Sequence, residues 1–449
     1  MQSAMSASTA QASAVEQTIV DLIRTAVSKT SRVAVQWVSQ PRAHALKACG
    51  TQHIYVDTAD IEELRDLLVA REDNHRIWLY QEVDGNTTNQ PLVQKVITRL
   101  MEESGADSLN AWVERLRTAD PNLSLDAATV MVYSVINGRL GLNVVHHFGA
   151  GRTWEVSLEL HTGLAPDRTR SVQIGRALYQ AVPGALIKVA FTPDHPHAFL
   201  IARDLEQQGV PVNFTATFSA RQVVAAALLA NPTRTNIFLG RLNQGLHSEV
   251  LGEHVLLAAQ RHLRRLRERV GIKTQLIAAS VRRWQTLPLT AGVDVYTVPY
   301  RVLKDFFTEA DISPDAITPQ VEADFTASLN IPETVLQKVG GFDRIARLFT
   351  VEPEFIEFLL ELRASPGFAT MDGDTLFQRF DDAGFGDVFY CPTPEEWTEL
   401  RKGKIPDLDS PFVRRIPLDT LYSLLAIGDF SNFQDRMDGL IRSRIASLF

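Results

Sequence analysis

Short runs of β-branched and apolar residues recur along the first two thirds of the chain. Most are followed by a stretch whose apolar positions return every three or four residues. Runs of the first kind read as strands and stretches of the second kind as amphipathic helices. The strand candidates are 53–58, 84–88, 153–160, 185–190, 210–217, 235–241, 273–280 and 294–299, and helical periodicity is clearest at 61–70, 173–181, 197–208, 220–229 and 249–269. Eight strands alternating with helices predict an α/β fold, a (β/α)8 TIM barrel. An open doubly wound sheet is the competitor, but the Gly-rich phosphate loop that usually follows one of its strands is missing.

Two regions depart from this alternation. Residues 91–150 carry several helical stretches between the second and third strands and read as helical elaboration of the barrel. After about Asp305 strand signals become sparse, and sixteen of the 22 phenylalanines fall in 306–449. Helices are expected there at 331–346, 352–364, 418–426 and 434–448, around an aromatic core. The expected organisation is a disordered tail over 1–14, a barrel over 15–305 and a mostly helical region over 306–449 packed on it. The tail is Ala/Ser-rich and lacks the features of a signal or transit peptide. At the barrel's start, 15–28 reads as a helix and 32–38 as a short apolar run.

Bulk composition narrows the chemistry only a little. The net charge of −8 does not imply a nucleic-acid surface. No apolar run is expected to approach the ~20 residues that span a bilayer, so no membrane partner is expected. The two cysteines, Cys49 and Cys391, give neither a disulfide framework nor metal spacing, which fits a reducing, cytoplasmic setting. His146 and His147 also lack metal-ligand spacing and read as loop residues. The basic run from Arg261 to Arg269 reads as a solvated helix face.

Candidate chemistry sits where such a barrel builds active sites, at the C-terminal ends of its strands. Lys188 lies inside an otherwise apolar strand, where an unpaired ammonium is too costly to leave. Either its pKa falls and it serves as a nucleophile toward carbonyls, or the ammonium reaches a carboxylate or solvent. The other strand ends supply Asp57 and Thr58, Thr88 and Asn89, Glu159, Asn213 with Thr215 on one face, Arg241, and Ser280 with Arg282. One lysine, two carboxylates and two arginines, each at the same end of a different strand, form a constellation.

Val56-Asp57-Thr58-Ala59-Asp60, Asp84-Gly85-Asn86-Thr87-Thr88-Asn89, Val156-Ser157-Leu158-Glu159 and Leu186-Ile187-Lys188-Val189 resemble the ordered motifs of transaldolases. So do Val212-Asn213-Phe214-Thr215, Phe238-Leu239-Gly240-Arg241, Ala279-Ser280-Val281-Arg282 and the eighth-strand segments Ala291-Gly292-Val293-Asp294 and Thr297-Val298-Pro299. The resemblance covers about 53–305. It implies a Schiff-base enzyme that needs no metal or other cofactor and acts on sugar phosphates in the pentose phosphate pathway. Lys188 would attack the ketose carbonyl. Glu159 would shuttle protons through a water held by Thr215, and Asp57 would act as general base in C–C cleavage. Asn89 and Asn213 would hold donor hydroxyls, and Arg241 and Arg282 would bind phosphate. Thr88, Asn236, Phe238 and Ser280 complete the implied substrate site. A homodimer is compatible with the resemblance but not required by it.

Each residue also has a plainer reading. Asp57 would support a helix cap formed by Thr58 or Asp60; Glu159 would lie on an exposed strand face; the arginines would form surface ion pairs. The chain also departs from the family pattern beside the site. Val189 follows Lys188 where proline is usual, Gln90 separates Asn89 from Pro91, Leu160-His161 replaces Val-Asp, and Asn236-Ile237 replaces Ser-Pro. These changes point to a diverged or specialised member. The alternatives are an aldolase acting on another sugar and a non-catalytic sugar-phosphate-binding protein. The small aldolases that use free dihydroxyacetone tend to have glutamine at the position of Glu159 and tyrosine at that of Phe238.

Overall fold

The computed structural model describes residues 2–25, 34–73, 76–103, 106–149 and 152–449. Eight parallel strands close into a barrel: His53–Asp57, Gly85–Thr87, Glu155–Glu159, Ala185–Ala190, Val212–Thr215, Arg234–Phe238, Gln275–Ala279 and Val295–Pro299. Each pairs with its neighbours in chain order, and the eighth closes on the first. All eight lie within the expected runs or one residue outside them. Most strands are apolar on the side that meets the helices, as burial on both faces demands; the second instead places Asn86 there, bonded to the Thr58 carbonyl and to Trp154.

The register stacks the inward side chains in polar layers. Lys188 stands opposite Glu159 on one side and Asn213 on the other. Asp57 stands opposite Thr87, which stands opposite Ser157. Below them, near the N-terminal end, Arg234 lies 3.3 Å from Glu155, and Tyr55 hydrogen-bonds to the same carboxylate. This closed floor leaves the opposite end of the barrel as the place for chemistry.

Several expectations need correction. The first helix runs Gln2–Arg24, so residues expected as a tail lie within it; Gln11 donates to Asp120, and the carbonyl of Ala12 accepts from Gln173. The expected end of that helix, residues 26–28, and the start of the next apolar run, 32–33, lie outside the described residues. A three-stranded sheet of Ala34–Val38, Arg76–Tyr80 and Val69–Glu72 flanks the barrel, with two of its strands unforeseen. Helix Leu125–Phe148 is long and apolar enough, by length and composition alone, to cross a bilayer, but it is mostly buried inside the protein. His146 and His147 lie in its last turn, not in a loop. The basic run is not simply solvated: Arg261 donates to the carbonyls of Val321 and Ala323, Arg267 pairs with Asp294, and Arg269 with Glu357.

The region after the barrel is mostly helical, and its aromatic core continues into the barrel through Phe389, which meets Phe191 and Phe199. The two expected terminal helices are one continuous helix, Leu418–Ile445. At Gly245 of the barrel a Cβ would lie 2.0 Å from the Tyr422 hydroxyl, so only glycine lets this helix approach so closely. Arg221 fastens the two parts together. It forms a paired contact with Asp419 at 2.8 and 3.1 Å and bonds Asp387 at 2.9 Å.

Candidate active site

A cavity of about 400 Å³ opens at the C-terminal end of the barrel, and its wall includes Asp57, Asn89, Lys188, Asn213 and Asn236. Phe238, Arg241, Ser280 and Arg282 line it too. Nine of the twelve expected site residues therefore face one space. The remaining three do not line it and are buried among the strands. Glu159 is 2 % exposed, and Thr88 and Thr215 are fully buried.

The Lys188 amine lies 3.0 Å from Glu159 Oε2 and donates to the carbonyl of Thr88 at 3.0 Å. It does reach a carboxylate, as the plainer reading held, but that carboxylate is buried beside it and not on an exposed face. Burial pushes the Glu159 carboxyl above its usual range; Lys188 pulls the other way, and Asp57 adds to the rise. A carboxylate held this way accepts a proton from a neighbouring amine more readily than an ordinary one. Thr215 Oγ1 is buried without a hydrogen-bond partner among the described residues, and so is Glu159 Oε1. The side chain of Thr88 bonds the Ser157 carbonyl, so this residue acts on the site through its own carbonyl.

Asp57 faces the cavity, and its Oδ1 accepts from the Thr87 hydroxyl at 2.8 Å. Helix Ile61–Leu68 is capped instead by Asp60, which accepts from Glu62 N, while Thr58 accepts from Asp60 N. Asp57 is thus free of the capping role. Loss of hydration raises its carboxyl above the usual range, against the opposing pull of Lys188, the Thr87 hydroxyl and Arg282. Two carboxylates therefore flank the amine in different settings: one against it, one across open space.

The polar wall between them is partly pre-ordered. Asn213 donates to the Ser157 hydroxyl at 3.1 Å and accepts from Asn236 at 3.4 Å. Asn89 accepts from Leu92 N in the first turn of the next helix while facing the cavity. Ser280 has a left-handed backbone, φ 63°, and its buried hydroxyl has no partner among the described residues. At Gly240 a Cβ would lie 2.1 Å from the Ser280 carbonyl, so glycine is needed where the sixth and seventh strand ends converge.

The two arginines differ. Arg241 is buried and pairs with Asp429 at 2.8 Å, and it donates to the Lys404 carbonyl at 3.2 Å. Its guanidinium also lies over Phe238 and Phe430. Arg282 is exposed in the cavity, and no ion pair to it is found among the described residues. Lys404, Asp429, Phe430 and Phe433 come from the C-terminal region and complete the cavity wall. None was foreseen, because nothing local in the sequence ties residues 404–433 to the barrel mouth.

The departures beside the site acquire partners. His161 meets Asp438 of the terminal helix at 3.0 Å, and its Nδ1 accepts from Gly163 N. Gln90 is buried and donates to the Leu160 carbonyl at 3.1 Å. Among the described residues no cluster of three or more His, Cys, Asp or Glu side chains is arranged to hold a metal ion.

A family model described as transaldolase/fructose-6-phosphate aldolase matches residues 54–340. A probable transaldolase of Moorella thermoacetica is 31% identical over 199 residues, which are 43% of this chain and 85% of that protein. One of Paracoccus denitrificans is 28% identical over 252 residues, 56% of this chain and 86% of that protein. One of Carboxydothermus hydrogenoformans is 34% identical over 127 residues, 28% of this chain and 54% of that protein. The family match ends before Lys404 and Asp429.

Proposed function

This chain belongs to the transaldolase/fructose-6-phosphate aldolase family, and from that premise we propose that it transfers a dihydroxyacetone unit between sugar phosphates through a Schiff base on Lys188. The donor is a ketose phosphate such as sedoheptulose 7-phosphate or fructose 6-phosphate. The acceptor is an aldose phosphate such as glyceraldehyde 3-phosphate or erythrose 4-phosphate, as in the pentose phosphate pathway. The observation that carries this reading is the Lys188 amine 3.0 Å from a buried Glu159, on the floor of a cavity that Asp57 also faces.

In this reading Glu159 takes a proton from Lys188, and the neutral amine adds to the C2 carbonyl of the donor. Glu159 returns a proton, through a water held by Thr215, as the carbinolamine hydroxyl leaves, and an iminium forms. Asp57 accepts the C4 hydroxyl proton as the C3–C4 bond breaks. The bonding pair passes into the iminium to give an enamine, and the aldose departs. The enamine carbon then attacks the acceptor carbonyl, which takes its proton from Asp57. Hydrolysis of the new iminium frees the product. Asn89 and Asn213 orient the donor hydroxyls, and Arg282 with Ser280 and Arg241 receives the phosphate. Glu159 and Phe238 favour transfer over aldol cleavage with free dihydroxyacetone. Turnover of fructose 6-phosphate only in the presence of an aldose phosphate acceptor tests this reading; equal turnover without acceptor contradicts it.

A further inference from the structure

We propose that Lys404, from the C-terminal region, is a phosphate-recognition residue of the cavity and works together with Arg282. The inference rests on the proposed sugar-phosphate chemistry and names a residue beyond the segment the family model matches.

Two of the cavity's cations are already engaged. Lys188 is held by Glu159, and Arg241 by Asp429. Of the other cations lining the cavity, Lys95, Arg282 and Lys404 are in no ion pair found among the described residues. Asp57 is the remaining carboxylate on that wall, so the mouth carries unbalanced positive charge suited to a dianion. A phosphate placed on Arg241 alone would have to compete with Asp429.

Lys404 is also built into place. Its carbonyl accepts from Arg241 on the barrel side. On the helix side its loop is held by two bonds between Arg401 and Asn432, at 3.0 and 2.7 Å. A neighbouring lysine, Lys402, turns to Glu399 and is spent on that pair. The backbone is thus fixed while the ammonium is left for a ligand. The C-terminal region then acts as a specificity element: it withdraws part of one guanidinium from the anion site and supplies an ammonium in exchange.

The test is calorimetric titration of inorganic phosphate, and of fructose 6-phosphate against fructose, into the full chain. Lys404→Met should weaken both phosphorylated ligands about tenfold or more, as should Arg282→Ala. Lys404→Arg should restore most of the binding, and fructose should not change. Unaltered phosphate affinity in Lys404→Met, or an equal loss for fructose, overturns the proposal. Because Lys404 is exposed, the variant should keep the wild-type circular dichroism. A parallel borohydride labelling with dihydroxyacetone separates the two readings. Lack of label on Lys188 with the phosphate result intact defeats the catalytic reading alone. Normal label with unaltered phosphate affinity defeats the Lys404 assignment alone.

Discussion

Asp419→Asn should uncouple the C-terminal region from the barrel at a cost of about 3 kcal/mol. Asp419 and Arg221 are each 4% exposed and meet through two hydrogen bonds, and the carboxylate also accepts from the Ser219 hydroxyl and Thr420 N. Breaking a buried pair strands the surviving charge, typically at about 3–5 kcal/mol. The lower end applies because Arg221 keeps Asp387 at 2.9 Å. Burial alone would raise the Asp419 carboxyl, but Arg221 and the hydrogen bonds hold it below its usual range. Its folded pKa is therefore depressed relative to the unfolded chain. The stability it contributes is fully present above the unfolded value of about 3.9 and is lost as pH falls through the folded value. Urea unfolding of both proteins from pH 7 downward measures this. The gap should be near its full size at pH 7, begin to narrow at about pH 4 and vanish only below the depressed folded value. A gap under about 1 kcal/mol at pH 7, or one that does not change on acidification, would show that the Arg221–Asp419 pair does not couple the two parts. Arg221→Met with Asp419→Leu should cost less than either single change, since no charge is left stranded.

Asp57→Asn should reduce transfer by about 10²–10⁴-fold, yet leave the protein more stable at neutral pH. The raised Asp57 pKa means its ionised form opposes folding, so the variant's advantage should appear at pH 7 by thermal melting and vanish where both folded and unfolded carboxyls are protonated. Glu159→Gln should slow formation and hydrolysis of the Schiff base by a similar factor, seen as slower borohydride labelling at fixed donor concentration. In turnover, Arg282→Ala should raise the KM of phosphorylated substrates by about one to two decades and spare dihydroxyacetone; equal losses for both would make it structural.

The barrel was legible because its strands carry a local signal: short apolar β-branched runs closed by polar residues. That nine of the twelve expected residues would line one cavity was legible for a related reason, since strand ends meet at one mouth of such a barrel. The flanking sheet was not, because helical periodicity continues to Ala70, where a strand has already begun at Val69. The terminal helix read as two because Gly428 and the polar residues after it look like a break. In the fold Gly428 lies against Arg401, where a Cβ would come within 3.2 Å of its Cα. Arg241 read as free for a ligand because its partner, Asp429, is 188 residues away, and no periodicity announces a pairing of that separation.

Mapping the borohydride-reduced adduct after incubation with fructose 6-phosphate shows whether Lys188 carries the covalent intermediate. A single dihydroxyacetone-derived, three-carbon adduct is expected on Lys188, absent from a folded Lys188→Ala variant. Lys47 and Lys273 are engaged by Asp84 and Glu206. An adduct on either of them or on any other lysine, or no adduct at all while the protein turns over substrate, would contradict a Schiff base on Lys188.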